Sequence, residues 1–164
     1  MGKLELTIES EKVRIYSPIF DGVCNEFNKF MLNNRNQTHP QLQLSYDSIM
    51  ASIKKITQCG ARENLFRPEG GRVKAVPLVI SFPFPVKKKV GKMRLYCLRL
   101  NDETLIIGNG GVTTKGKYDD DPIHQGYVDD LRKIDKLIKK ELKKTKSGYS
   151  DNDTLIKILE SITF

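Results

Sequence analysis

The residues of this chain best suited to chemistry are cationic. Arg94 sits beside Tyr96 in a run of strand-forming residues, and Lys115, Lys117 and Tyr118 follow the next apolar run after a glycine-rich segment. A wider basic stretch surrounds the first of these. From Gly70 to Asn101 there is no acidic residue, whereas Arg72, Lys74, Lys87, Lys88, Lys89, Lys92, Arg94 and Arg99 all fall within it. The remainder of the chain is balanced, so the net charge of +8 comes from this one stretch. Cations concentrated in this way point to a polyanion, nucleic acid ahead of acidic protein or lipid. The plainer alternative is a solvated basic face. Arg72, Lys74, Lys87, Lys88, Lys89 and Lys92 are therefore candidate nucleic-acid-binding residues, and Arg94, Lys115, Lys117 and Tyr118 form the tighter constellation.

Other chemistries find less footing. Gly108-Asn109-Gly110-Gly111 follows a strand, as a phosphate-binding loop does, but it lacks the Gly-Lys-Ser/Thr ending and the dinucleotide spacing, and reads as a tight strand exit. His39 and His124 have no partners at zinc spacing and read as surface residues. Asp119-Asp120-Asp121-Pro122 is explained as a helix start, with Asp121 as cap and Pro122 in the first turn. Cys24, Cys59 and Cys97 have neither metal nor redox spacing and read as three buried small side chains. No metal or cofactor is expected. No apolar run is long enough to span a membrane, and Met1 to Glu5 lacks the core of a signal peptide, so a cytoplasmic protein is expected.

The elements that must position the cations follow from periodicity. Leu4, Leu6 and Ile8 alternate with polar residues, as do Val13 and Ile15, which predicts an N-terminal hairpin. Phe20, Val23, Phe27, Phe30 and Met31 form a helical stripe over about 21–34, capped by Asp21. Ile49, Ile53 and Ile56 line a second helix, about 45–59, capped by Ser45 or Asp47. A strand from Val73 to Ile80, interrupted by Pro77, precedes an exposed connection, Ser81 to Lys89. Then come strands at 92–100 and 104–107, joined by the Asn101-Asp102 turn. A long amphipathic helix from Pro122 buries Ile123, Tyr127, Leu131, Ile134, Ile138 and Leu142, and a final helix capped by Ser150 or Asp153 buries Leu155, Leu159 and Ile162. The expected class is a single α+β domain over 1–164, with a mainly antiparallel sheet and helices packed on it.

The segment VGKMRLYCLRLNDETLIIGNGG, followed by TTKGKYDDDP and a helix, resembles the core of the RelE/HigB-like toxin superfamily. The resemblance covers roughly 21–140, which leaves the N-terminal hairpin and the C-terminal helix as additions to a RelE-like core. It implies a small basic endoribonuclease that cuts messenger RNA without a metal, in some members on the ribosome, and that is neutralised by a cognate antitoxin. In that light Arg94 matches the strand arginine that stabilises phosphate charge, and Tyr118 resembles the tyrosine after the last strand that moves a proton. The cation expected just past that strand has no direct match. Gly110, Gly111 and Val112 occupy its place, and Lys115 and Lys117 are the nearest cations. The alternative is a non-catalytic RNA-binding or protein-interaction module with a basic face.

Overall fold

Between Met93 and Leu100 the chain alternates two apolar sets, and each must be covered. Met93, Leu95 and Cys97 face one way; Tyr96, Leu98 and Leu100 face the other, and all six are buried. In the computed structural model, which describes residues 1–164, this segment is strand β5 (Lys92–Asn101), and it pairs antiparallel with β6 (Thr104–Thr113) at the middle of a six-stranded sheet. The other strands are β1 (Lys3–Glu9), β2 (Arg14–Ile19), β3 (Arg67–Pro68) and β4 (Val73–Val76). The order across the sheet is β1-β2-β6-β5-β4-β3, and every pairing is antiparallel except β2 with β6. Helices α1 (Glu26–Asn34) and α2 (Pro40–Cys59) cover the Leu95/Cys97 face through Phe27, Phe30, Ile49, Ile53 and Ile56. Helices α3 (Pro122–Lys144) and α4 (Asn152–Ser161) cover the other through Val128, Leu131, Ile134, Ile138, Leu155 and Leu159. The protein is α+β with a mostly antiparallel sheet, as its periodicities predict. No helix is long and apolar enough to cross a membrane.

Several boundaries move for local reasons. Helix α1 starts at Glu26, because Asn25 caps it by accepting from the Asn28 amide at 2.8 Å. Asp21 instead closes a preceding turn, accepting from the amides of Val23 and Cys24, and Phe20 and Val23 fall outside the helix and are exposed. Helix α2 begins before Ser45 and Asp47: Pro40 fits its first turn and His39 Nδ1 accepts from the Gln41 amide. Asp151, rather than Ser150 or Asp153, caps α4. Strand β4 stops at Val76, since Pro77 has no N–H to continue a ladder. In α3, Ile123 is exposed and His124 takes the buried position beside it. Of the cysteines, Cys97 is buried, Cys24 partly so, and Cys59 is exposed.

The largest departure is in β6, which runs ten residues rather than four, so Gly108 to Gly111 lie within the strand and not at its exit. Leu95 pairs with Gly110 and Cys97 with Ile107, which leaves one extra residue on β6. This is a β-bulge, and it reverses which residues face which side. Before it, Ile106 and Gly108 face α3; beyond it, Gly111 does, opposite Arg94. A Cβ at Gly110 would overlap the Arg94 carbonyl oxygen and crowd the Leu95 Cα, so only glycine fits. Gly110→Ala should therefore cost on the order of 3 kcal/mol or more in denaturant unfolding. Gly116→Ala, where a Cβ meets nothing within 4 Å, should stay within about 0.5 kcal/mol of the parent.

Candidate nucleic-acid interface

The N-terminal end of β5 and the C-terminal end of β6 lie side by side, Lys92 opposite Thr113, and a cleft opens there. Its volume is about 430 Å³, and the strand ends contribute Lys92, Thr113, Thr114, Lys115 and Gly116 to its lining. The segment between β4 and β5 contributes Phe82, Val86 and Lys88. Phe82, Val86 and Lys92 also line an adjoining cleft of about 340 Å³, together with Arg67, Arg94 and the apolar run Pro77 to Ile80. No carboxylate lines either cleft. Buried Gln41 fixes this geometry from α2. Its Nε2 donates to the carbonyls of Lys87 and Gly91 at 3.0 and 2.7 Å, and its Oε1 accepts from the Lys87 amide at 2.8 Å.

Behind Lys92 lies a charged cluster that is largely closed to solvent. Glu69 Oε1 sits 3.4 Å from Arg94 Nη1 and 3.3 Å from Arg67 Nε, with Glu69 and Arg94 both buried. Burial is the largest influence on each: it raises the Glu69 carboxyl against the pull of Arg67 and Arg94, and it lowers the Arg94 guanidinium from its ordinary value. The Lys92 ammonium is lowered first by burial and then by the charges of Arg94 and Arg67. One carboxylate thus serves three cations, and Lys92 has no ion-pair partner. Arg132 of α3 closes the cluster from the helix side, donating to the Tyr118 hydroxyl at 2.6 Å and to the Glu69 carbonyl at 3.4 Å.

On the same sheet face Tyr96 and His124 form a buried pair, with Tyr96 Oη 2.8 Å from His124 Nδ1 and the rings edge to face. Burial lowers the imidazole pKa from its ordinary value more than the charge of Asp121 raises it. Burial likewise pushes the Tyr96 phenol well up. The hydrogen bond and the burial of both side chains make this pair a structural fastening between β5 and α3.

The predicted site residues divide accordingly. Lys88, Lys92 and Lys115 share the cleft, with Arg94 behind them in the Glu69 ion pair. Lys87 and Lys89 are exposed neighbours that do not line it. Lys117 is exposed beyond its rim, and Tyr118 turns inward against the α3 core and meets Arg132, not the two lysines beside it in sequence. Lys74 points to the other sheet face, 3.5 Å from Glu63. Arg72 is occupied elsewhere: its guanidinium lies 3.6 Å over the Tyr149 ring and 3.4 Å from Asp135. The reading of His124 as a surface residue is corrected, because it lies on the apolar stripe of α3. Arg67, Glu69 and Arg132 had no sequence signal, and Phe82 had only its place in the exposed basic connection Ser81 to Lys89. They come from separate segments that only the fold joins. No three His, Cys, Asp or Glu side chains converge as metal ligands. In comparisons by sequence and by fold, no family, no curated protein and no solved structure matches this chain.

His124 gives the fold a testable pH dependence. A base whose folded pKa lies below its unfolded value of 6.5 contributes stability that is complete above 6.5 and is lost as pH falls toward the folded pKa. Stability of the parent should decline from about pH 7 toward pH 5, and His124→Gln should flatten that decline, since Gln keeps a donor and an acceptor but does not titrate. Urea melts of the two proteins across this range give the difference directly. Glu69 acts with the opposite sign just above its unfolded value of 4.5 and is present in both, so it cancels.

Proposed function

We propose that this chain is an RNA-acting protein of the toxin kind that takes a single strand into the cationic cleft and cuts it without a metal. The observation that carries the reading is the convergence of Lys88, Lys92 and Lys115 on one cleft with no carboxylate in its walls. Phosphate oxygens entering it displace water from unpaired ammonium groups and break no ion pair of theirs. Arg67 and Arg94 add positive potential from behind, in an environment where charges act at longer range than in water.

In the proposed reaction the ribose 2′ oxygen bonds to the adjacent phosphorus and the P–O5′ bond breaks. The 2′ proton passes to solvent water, and the leaving 5′ oxygen takes a proton from the Lys92 ammonium. Lys92 is the best placed proton mover: its ammonium is more acidic than a free lysine's because of burial and its arginine neighbours. Lys115 and Lys88 stabilise the charge that develops on the phosphoryl oxygens. Arg94 and Tyr118 support the site from the second layer, through Glu69 and Arg132.

A specific observation favours binding without cleavage as the second reading: Arg94 and Tyr118, the two residues matched to the toxin pattern, are both engaged inside the protein and do not line the main cleft. A cognate antitoxin and a ribosomal target belong to the first reading only.

Filter binding and cleavage of a messenger RNA in EDTA, with and without ribosomes, test both. Replacing Lys88, Lys92 and Lys115 together with Gln should shrink the salt slope of single-strand binding by about two units. Lys92→Arg keeps the charge but removes the more acidic proton, so it should bind as the parent does and cleave about 100-fold or more slowly. Binding with no cleavage by the parent makes the protein a binding module. No salt-dependent binding at all ends the RNA reading.

A further inference from the structure

The 430 Å³ cleft is not uniformly cationic. Of its ten lining residues only Phe82 and Val86 are hydrophobic, and both stand on the wall contributed by the segment between β4 and β5. A simple polyanion groove has no use for that wall. The volume falls within the range of small-ligand sites. One aromatic ring in the same cleft as ammonium and hydroxyl groups suits a molecule with a flat apolar part joined to a phosphate. We propose that this cleft seats one nucleotide unit, its base stacked on Phe82 against Val86 and its phosphate held by Lys92, Lys115 and the Thr114 hydroxyl. The inference rests on the RNA reading above and assigns it a subsite with a residue that reads the base face.

The wall is built to hold its shape. Phe84 supports Phe82, their ring centroids 5.7 Å apart. Gln41 ties both ends of the Lys87–Gly91 turn to α2. Gly91, at φ +87°, lets the chain pass close to β6, where a Cβ would come within 2.7 Å of the Thr113 carbonyl oxygen. On the opposite side the Lys115 amide donates to Thr113 Oγ1 at 3.1 Å, which turns the segment after β6 across the mouth of the cleft. Stacking on a single aromatic face reads every base, so the subsite selects for an unpaired strand and not for a sequence.

The test uses the full chain with three probes: a fluorescein-labelled ten-nucleotide oligouridylate, inorganic polyphosphate of similar charge, and uridine monophosphate as competitor. Phe82→Ala should weaken oligouridylate binding by roughly 5- to 100-fold and leave polyphosphate binding unchanged. Phe82→Leu should weaken it nearly as much, and Phe82→Tyr should restore it. Competition by the mononucleotide identifies a free nucleotide as a ligand; competition only by oligomers identifies the strand. An oligouridylate affinity within about twofold of the parent in Phe82→Ala overturns the subsite and leaves the RNA reading standing. Equal loss of both polyanions means that Phe82 only shapes the segment, and overturns it too. If the parent binds polyphosphate but not oligouridylate, the RNA reading and the subsite fail together.

Discussion

The structure depends on the close approach of β6 to β5 at Gly110. The two central strands are joined there so tightly that the Arg94 carbonyl occupies the space of a side chain. The bulge beside it allows this contact and reverses the facing of the strand beyond. As a result Gly111 lies on the α3 face beside the His124 imidazole. The Tyr96–His124 pair then ties β5 to the first turn of α3. The segment between β6 and α3, which carries Lys115, Lys117 and Tyr118, is held at both ends as a consequence.

The same arrangement sets the electrostatics. Arg94 leaves β5 on the α3 face, under the helix, so it needs a carboxylate, and Glu69 supplies one from the segment between β3 and β4. A buried pair of this kind adds little net stability, because desolvation consumes most of the attraction. Its effect is on placement: it fixes Arg94 and Arg67 behind the cleft. Lys92, two residues earlier on the same strand face, is left without a partner at the strand end. The unbalanced positive charge therefore lies where β5 begins and solvent enters.

Charge run and charge cluster turned out to be different things. Eight cations between Gly70 and Asn101 look like one surface in sequence, but a strand sends alternate residues to opposite faces and a sheet separates them further. Lys74, inside β4, pairs with Glu63, whereas Arg72, in the turn just before that strand, stacks on Tyr149. Lys88, Lys92 and Lys115 come from two segments and share one cavity. Proximity in sequence is informative along a helix face or a loop, and much less so across a pleated strand.

The α+β class, the N-terminal hairpin, the β5–β6 pair, the amphipathic α3 with its Asp121-Pro122 start, and the basic bias of the centre were all determined by the sequence alone. Each follows from local periodicity, capping chemistry or counting, which act over a few residues. The tertiary structure decided the rest. A bulge depends on what the partner strand offers, so Gly108 to Gly111 could equally be an exit. The burial of His124 depends on the packing of α3 against β5, where it meets Tyr96. The cleft joins a helix, two strand ends and an irregular segment, and Arg132 reaches Tyr118 only because α3 packs on that face. Contacts between residues far apart in sequence are set by how the layers pack, and no single segment carries a record of them.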